Sequence, residues 1–171
     1  MRIVIDEKWR VRAESAITVP LPAGAVWGLM RDWRRFITRD PLHRSVRVTG
    51  QAPASGTPRG TRIVIEHRLL GIGPDRVGRI LRWREGCGFV FSDLSGRGVR
   101  RGFPHVCSYE VEVLTEDTCR VTAWVRGKWT ATWIPRWAAR AWIWWVLRGT
   151  EVRLASELAA YARWRRRQGR S

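Results

Sequence analysis

The sequence lacks paired or closely spaced cysteines, the feature typical of secreted domains and of cysteine-based metal sites. Its 171 residues contain three cysteines, Cys87, Cys107 and Cys119, and no two of them stand in a C-x-x-C motif. An odd number without that spacing argues against a disulfide framework and against a zinc site. We therefore predict a reducing compartment, no metal site and no cofactor.

Long apolar runs are also missing. The longest, Ala141–Leu147, covers about a third of the roughly 20 residues that a membrane-spanning helix needs. Near the N-terminus, Asp6 and Glu7 interrupt the apolar residues too early for a signal peptide. These absences predict a soluble, cytoplasmic protein.

Lysine is nearly absent, although the chain is strongly basic. Lys8 and Lys128 are the only lysines among 32 basic residues, and the formal net charge is +17. Such lopsided arginine usage is typical of GC-rich codon usage, which accounts for most of the charge without a functional role. A field of this size would still attract nucleic acid or acidic lipid. Glutamates between the outer arginines interrupt the positive stripe, so nucleic acid is the disfavoured partner.

The sequence does contain alternating segments followed by one long helical segment. Alternation of apolar and polar residues predicts strands at 11–19, 43–49, 61–70, 75–84, 89–94, 103–113 and 118–129. Two short helices are expected after the first strand, and a long C-terminal helix from Arg136 to about Arg167. The predicted architecture is α+β, with a curved antiparallel sheet of about six to seven strands wrapped round the long helix. One domain covers residues 1–171, with 1–10 as an N-terminal extension and 165–171 as a frayed basic tail.

The predicted inner face of the sheet carries polar groups among apolar ones. Alternation places there His67, Arg79, Asp93, His105 and Tyr109. Each of these groups costs several kcal/mol to bury unless it is hydrogen-bonded, paired or hydrated, so their number predicts a wet or ligand-filled cavity. Arg79 either pairs with Asp93 as a structural ion pair or binds a carboxylate or enolate of a ligand.

Several segments carry a family resemblance. They are Ala16–Pro20 followed by Ala25–Trp27 and Asp32–Trp33, residues 56–61, Ile80–Trp83, Phe103–His105 with Tyr109, and the final Trp- and Ala-rich helix. Over roughly residues 13–164 the chain resembles the START/Bet v 1-like (SRPBCC) superfamily, particularly its bacterial polyketide cyclase/dehydrase-like branch. The resemblance implies a helix-grip fold that encloses a hydrophobic ligand cavity. It implies no shared catalytic signature.

Three functions follow as hypotheses. The leading one is a small-molecule binding protein that holds a hydrophobic, in some cases anionic, ligand such as a lipid or polyketide. The first alternative is a metal-free cyclase/dehydrase-type lyase in which His105, Arg79 and Tyr109 are catalytic. The second alternative is a basic surface that binds nucleic acid or acidic lipid through outer arginines.

The predicted ligand-binding residues are mostly aromatic. They are His67, Trp83, Phe91, Asp93, Phe103, Trp129, Trp137 and Trp144. The Trp-rich start of the long helix has three open interpretations: it lines the cavity and stacks on a planar ligand, it contacts a membrane surface or a second subunit, or it is simply buried. The oligomeric state is accordingly left as monomer or homodimer.

Overall fold

The computed structural model describes residues 1–49, 57–67, 75–95 and 103–168. Within these ranges, eight strands pair antiparallel in one sheet of order β1-β2-β8-β7-β6-β5-β4-β3. The strands are β1 (Arg2–Ile5), β2 (Arg10–Val19), β3 (His43–Thr49), β4 (Arg62–His67), β5 (Arg76–Arg84), β6 (Gly88–Ser95), β7 (His105–Thr115) and β8 (Thr118–Lys128). The helices are α1 (Ala23–Met30), α2 (Trp33–Ile37) and α3 (Arg136–Gln168).

This arrangement confirms the predicted α+β helix-grip fold, with one strand more than expected. The additional strand is β1, which pairs with β2 from Arg2 opposite Glu14 to Ile5 opposite Val11. The segment predicted as an N-terminal extension is therefore part of the sheet. Its four residues are too few for alternation to be recognised in the sequence, but Ile3 is buried.

Helix α3 has one apolar face that packs against the rest of the molecule. Its buried residues recur at steps of four and seven, as expected for one side of a helix: Ala139, Ile143, Leu147, Leu154, Leu158 and Ala162. The helix continues to Gln168, so its backbone extends into the segment predicted as a frayed tail. No helix among the described residues is long and apolar enough to cross a membrane.

The short helices α1 and α2 close one side of the core. Met30, Phe36 and Ile37 are fully buried. The Phe36 ring meets the Tyr109 ring of β7 edge-on, with 4.8 Å between ring centroids. Arg39, just after α2, forms an ion pair with Glu157 of α3, which ties the short helices to the long one.

A bulge in β5 decides which of its side chains face the core. Pairing with β6 joins Ile80 to Phe91 and then Arg82 to Val90, so the register shifts at Leu81. Before this bulge the even-numbered residues face inward, and beyond it Trp83 takes that side. The prediction that Arg79 lies on the inner face is therefore wrong, because Arg79 is exposed and Gly78 and Ile80 are buried.

Some sequence predictions lie outside the described residues. They concern the end of the strand predicted at 61–70, beyond His67, the connections at 50–56 and 96–102 between predicted strands, and the last three residues of the predicted tail.

Candidate functional site

Asp93 lies in the interior near the end of β6, and its side chain has no exposed surface. Among the described residues, four basic side chains surround its Oδ2 atom. The distances from Oδ2 are 3.1 Å to His67 Nε2, 3.3 Å to Arg76 Nη1, 3.6 Å to His105 Nε2 and 3.9 Å to His43 Nε2. The chain has three histidines, so every one of them meets the same carboxylate. We call these five residues the Asp93 cluster.

The strand register brings the cluster together at one end of the sheet. Asp93 of β6 is the cross-strand partner of His105 of β7. His43 of β3 is likewise opposite His67 of β4, and the two rings meet edge-on. Arg76 begins β5, which runs between these two pairs. Residues that lie up to 62 positions apart in the sequence thus meet because β4 and β6 end where β3, β5 and β7 begin.

Each histidine is oriented by a backbone carbonyl group. The Nδ1 atom lies 2.8 Å from the Ile37 oxygen in His43, 3.2 Å from the Ile65 oxygen in His67 and 2.6 Å from the Phe103 oxygen in His105. A carbonyl oxygen only accepts hydrogen bonds, so each Nδ1 carries a hydrogen and each Nε2 faces Asp93. All three rings therefore present the same atom to the carboxylate.

Arg76 fixes the carboxylate from the remaining side. Its Nη1 donates to Asp93 Oδ2 and, at 3.0 Å, to the backbone oxygen of Phe103. The other carboxylate oxygen, Oδ1, is buried and has no hydrogen-bond partner among the described residues. The cluster therefore holds one unsatisfied acceptor in the protein interior, which is uncommon.

Burial and charge act in opposite directions on the ionisation of the cluster. Burial by itself raises the pKa of the Asp93 carboxyl, but His105, His67 and Arg76 outweigh it, and the net pKa lies well below the ordinary value of 3.8. Burial lowers the pKa of the His105 imidazole below its ordinary 6.5, against the opposing attraction of Asp93. Asp93 is thus ionised at neutral pH, and the His105 ring favours its neutral form.

The structure brings three of the predicted site residues into this cluster: His67, Asp93 and His105. Phe103 stacks on the His105 ring at 4.6 Å, and Trp129 lies 5.9 Å from Phe103. Phe91 and Tyr109 are buried and stacked on each other within the core. Trp83 is half-buried against Trp27 at the other end of β5.

The predicted catalytic set of His105, Arg79 and Tyr109 is not assembled. Arg79 is on the outer face, because the inward-facing residues of β5 before its bulge are the even-numbered ones. Tyr109 lies four positions beyond His105 on the same strand, which separates the two Cα atoms by about 13 Å. Burial raises the pKa of the Tyr109 phenol well above its ordinary 10.0.

Two tryptophans predicted to bind ligand point away from the interior. Trp137 is 74% exposed and Trp144 is 52% exposed, so the prediction that they line the cavity is wrong. The buried face of α3 is formed instead by Ala139, Ile143 and Leu147. The helical period turns these three residues toward the rest of the molecule and leaves Trp137 and Trp144 on other sides of the helix.

Sequence reasoning missed two members of the cluster, His43 and Arg76. His43 begins its strand, where alternation has no preceding residues to define a face. Arg76 shares its inward orientation with Gly78, which has no side chain to mark the inner face. The scarcity of histidine was the available signal. With three histidines in 171 residues, a shared site for all of them could have been considered as a hypothesis.

At the level of sequence, no family model matches the chain and no curated protein matches it. Solved structures do match. A START superfamily protein from Mycobacterium smegmatis aligns with a TM-score of 0.69 at 10% identity, covering 87% of this chain and 97% of that one. The chain has the START/Bet v 1 fold. Ara h 8.0201 aligns with a TM-score of 0.64 at 12% identity, covering 88% and 99%, respectively.

A third structure with this fold is the Zhui aromatase/cyclase from a Streptomyces species. It aligns with a TM-score of 0.63 at 14% identity, covering 90% of this chain and 94% of that chain. These comparisons confirm the resemblance at the level of the fold.

In this helix-grip fold the space between α3 and the sheet is narrow. A cleft of about 10 Å³ lies between Ile17 and Val121 of the sheet and Leu147 and Leu154 of the helix, close to the room that one water molecule requires. Ser15 donates a hydrogen bond to Glu151 at its margin. A ligand-sized cavity therefore stays a prediction.

Proposed function

We propose that this protein binds a small, largely apolar molecule whose oxygen-bearing end is held at the Asp93 cluster. The observation that carries the proposal is the convergence of all three histidines and Arg76 on one buried carboxylate. A charged group in an apolar interior costs several kcal/mol unless it is paired, and such groups concentrate at functional sites. If the carboxylate of Asp93 had a purely structural role, one arginine would be enough to neutralise it, and three imidazole rings would not be needed.

The cluster suits an oxygen atom of a ligand. A neutral imidazole with its hydrogen on Nδ1 accepts a hydrogen bond at Nε2, so it binds a hydroxyl group. A protonated ring and Arg76 both donate, so they bind a carbonyl, enolate or carboxylate oxygen. Alcohols, enols and acids at the end of an apolar molecule are therefore the favoured chemistry.

Aromatic residues beside the cluster suit the apolar part of the molecule. Phe103 is half-buried, and its ring is flanked by His105 and Trp129. Flat apolar rings favour stacking at centroid distances of this size. Pockets for small molecules usually measure about 300–1,000 Å³, so binding requires α3 or the aromatic side chains to move apart from the sheet.

The experiment is a binding screen on the whole chain by native mass spectrometry, followed by calorimetry with fatty acids, aromatic acids and polyketide-like enols. We expect His105→Gln and His67→Gln to weaken binding at least tenfold. Arg79→Gln is the matched control, since this exposed arginine lies on the outer face of β5, and it should bind as the wild type does. Equal affinities in all variants, or no ligand in the screen, would refute the proposal.

A second candidate is proton-transfer catalysis of the cyclase/dehydrase type, favoured by one specific observation. The His105 ring is oriented by the Phe103 carbonyl and flanked by Asp93, and burial lowers its pKa. A positioned neutral imidazole is a competent general base near neutral pH. Incubation with a linear poly-β-ketone tests this candidate, and a product distribution that His105→Gln leaves unchanged would exclude it.

A further inference from the structure

We propose that His43, His67 and Asp93 bind a divalent first-row transition-metal ion of the zinc class. The proposal concerns the same cluster but does not depend on the small molecule proposed above. It departs from the expectation drawn from the cysteines, because the donor atoms are imidazole nitrogens and a carboxylate oxygen.

The donor atoms already lie near metal-binding separations. One ring nitrogen of each histidine and a carboxylate oxygen of Asp93 all lie within 4.8 Å of one another. The distances to Oδ2 are 3.9 Å from His43 and 3.1 Å from His67. Ligand atoms bound to zinc at about 2.0–2.2 Å stand about 3–4 Å apart, so a small closure of the three side chains completes the site.

The orientation of the rings is that of metal ligands. Each Nδ1 hydrogen is directed to a backbone carbonyl, Ile37 for His43 and Ile65 for His67. Histidines that bind metals usually donate their second ring N–H in this way, which fixes the tautomer and aims the Nε2 lone pair. In the neutral rings these lone pairs face a carboxylate, so two acceptors oppose each other. A cation between them removes that repulsion.

Asp93 keeps a coordination position free. Its Oδ1 atom is buried without a hydrogen-bond partner among the described residues, while Arg76 holds Oδ2 from the side. Carboxylates that bind metals are commonly oriented by such a hydrogen bond. The unsatisfied oxygen is an observation independent of the histidine geometry, and it points to a missing positive partner.

The donor set selects the kind of ion. Imidazole suits zinc, iron, cobalt, nickel and copper, whereas magnesium and calcium prefer oxygen ligands alone. Three protein ligands leave a fourth position open, as in catalytic rather than structural zinc sites. His105 Nε2, at 3.6 Å from the same carboxylate, borders that position.

The first experiment uses the untagged full chain after treatment with a chelator. Zn²⁺ affinity is measured by competition with a chromophoric chelator, and Co²⁺ is added as a spectroscopic probe. We expect one equivalent of Zn²⁺ to bind, Co²⁺ to give visible ligand-field absorption, and Mg²⁺ to bind at least a hundredfold more weakly. Zn²⁺ binding no tighter than Mg²⁺ binding would overturn the proposal.

Variants separate this site from other donors. His67→Gln should weaken Zn²⁺ binding at least tenfold, whereas Cys87→Ser should leave it unchanged, since Cys87 is a free thiol in the turn between β5 and β6, away from the cluster. The reverse result would overturn the proposal by assigning the ion to a thiol.

A measurement on the wild type does not depend on how the variants fold. With three histidines in the chain, long-range proton–nitrogen NMR spectra resolve each ring. Zn²⁺ should shift the Nε2 signals of His43 and His67 while their Nδ1 atoms remain protonated. Unchanged signals at one equivalent of Zn²⁺ would refute metal binding even if a small-molecule ligand binds, and a shift without any ligand would support the metal alone.

Discussion

A buried carboxylate is stable in a protein interior when positive and hydrogen-bonding groups balance its charge. Asp93 has such a balance on one oxygen, which accepts a hydrogen bond from Arg76 and lies 3.1 Å from His67 Nε2. The other oxygen has no partner among the described residues. At the scale of single residues, Asp93 is therefore at once the organising charge of the site and its least satisfied group.

Replacement of Asp93 tests this balance. Asp93→Asn should lower the free energy of unfolding by about 3–5 kcal/mol, because it leaves the largely buried Arg76 guanidinium without its counter-charge. Urea denaturation at neutral pH measures the change. Asp75→Asn is the matched control, since Asp75 is an exposed partner of Arg47, and it should change stability little. Similar losses in the two variants would contradict the assigned role of Asp93.

Tyr109 gives a prediction for alkaline pH. Burial raises the pKa of its phenol well above 10.0 in the folded chain, while an unfolded chain ionises near the ordinary value. The neutral phenol therefore contributes fully to the free energy of unfolding below pH 10. This contribution is lost as the pH rises toward the pKa of the folded chain, by up to about 1.4 kcal/mol per pH unit. Urea denaturation between about pH 8 and 11 should show a shallower decline for Tyr109→Phe than for the wild type. Parallel declines would contradict the prediction.

At the scale of elements, close backbone contacts position the site. Gly127 of β8 is opposite His105 of β7. A Cβ atom at Gly127 would lie 2.4 Å from the Pro104 oxygen and 2.6 Å from the His105 Cβ. The close approach of these strands therefore requires glycine, and it sets where the His105 ring enters the cluster.

Gly127→Ala should accordingly displace the start of β7. We expect a loss of about 1–3 kcal/mol in unfolding free energy, typical of overpacking, together with altered NMR signals of the His105 ring. Gly28→Ala is the control, because no described residue lies within 4 Å of its added methyl group in α1, and an alanine should stabilise that helix by about 0.5–1 kcal/mol. An unperturbed His105 in Gly127→Ala would show that the contact does not position the ring.

Alternation predicted the inward residues of β4 and β6 correctly, and for a local reason. Ile63, Ile65, Phe89, Phe91 and Asp93 follow an uninterrupted period of two, and all are buried. In β5 the period is broken by the bulge near Leu81. A bulge is defined by pairing with the neighbouring strand, so the sequence of β5 does not reveal it, and Arg76 and Arg79 exchanged their expected positions.

At the scale of the whole molecule, charge and exposed indole rings coincide on α3. The net charge is +17, and the segment preceding and beginning α3 exposes Trp133, Trp137 and Trp144 beside Arg136 and Arg140. Indole rings with adjacent arginines are typical of protein surfaces that contact the headgroup region of a bilayer. The charge is complementary to anionic lipid.

We therefore expect binding to phosphatidylserine vesicles but not to phosphatidylcholine vesicles, with a decline as salt is raised. A double variant, Trp133→Ser with Trp137→Ser, should weaken sedimentation with the anionic vesicles at least tenfold. Arg82→Gln on the outer face of the sheet serves as a control for charge alone. Equal binding of the wild type and the double variant would assign the effect to net charge rather than to this surface.

The sequence by itself determined the elements of this protein: alternating strands, two short helices and a long terminal helix without an internal proline. These elements follow from local patterns, which residues close together in the sequence are enough to define. Only the tertiary structure decided that β1 joins the sheet, that Trp137 and Trp144 face outward, and that His43 and Arg76 complete the cluster around Asp93. Those outcomes depend on which distant strands pair and in which register, and the free energy that selects the register comes from packing across the whole sheet.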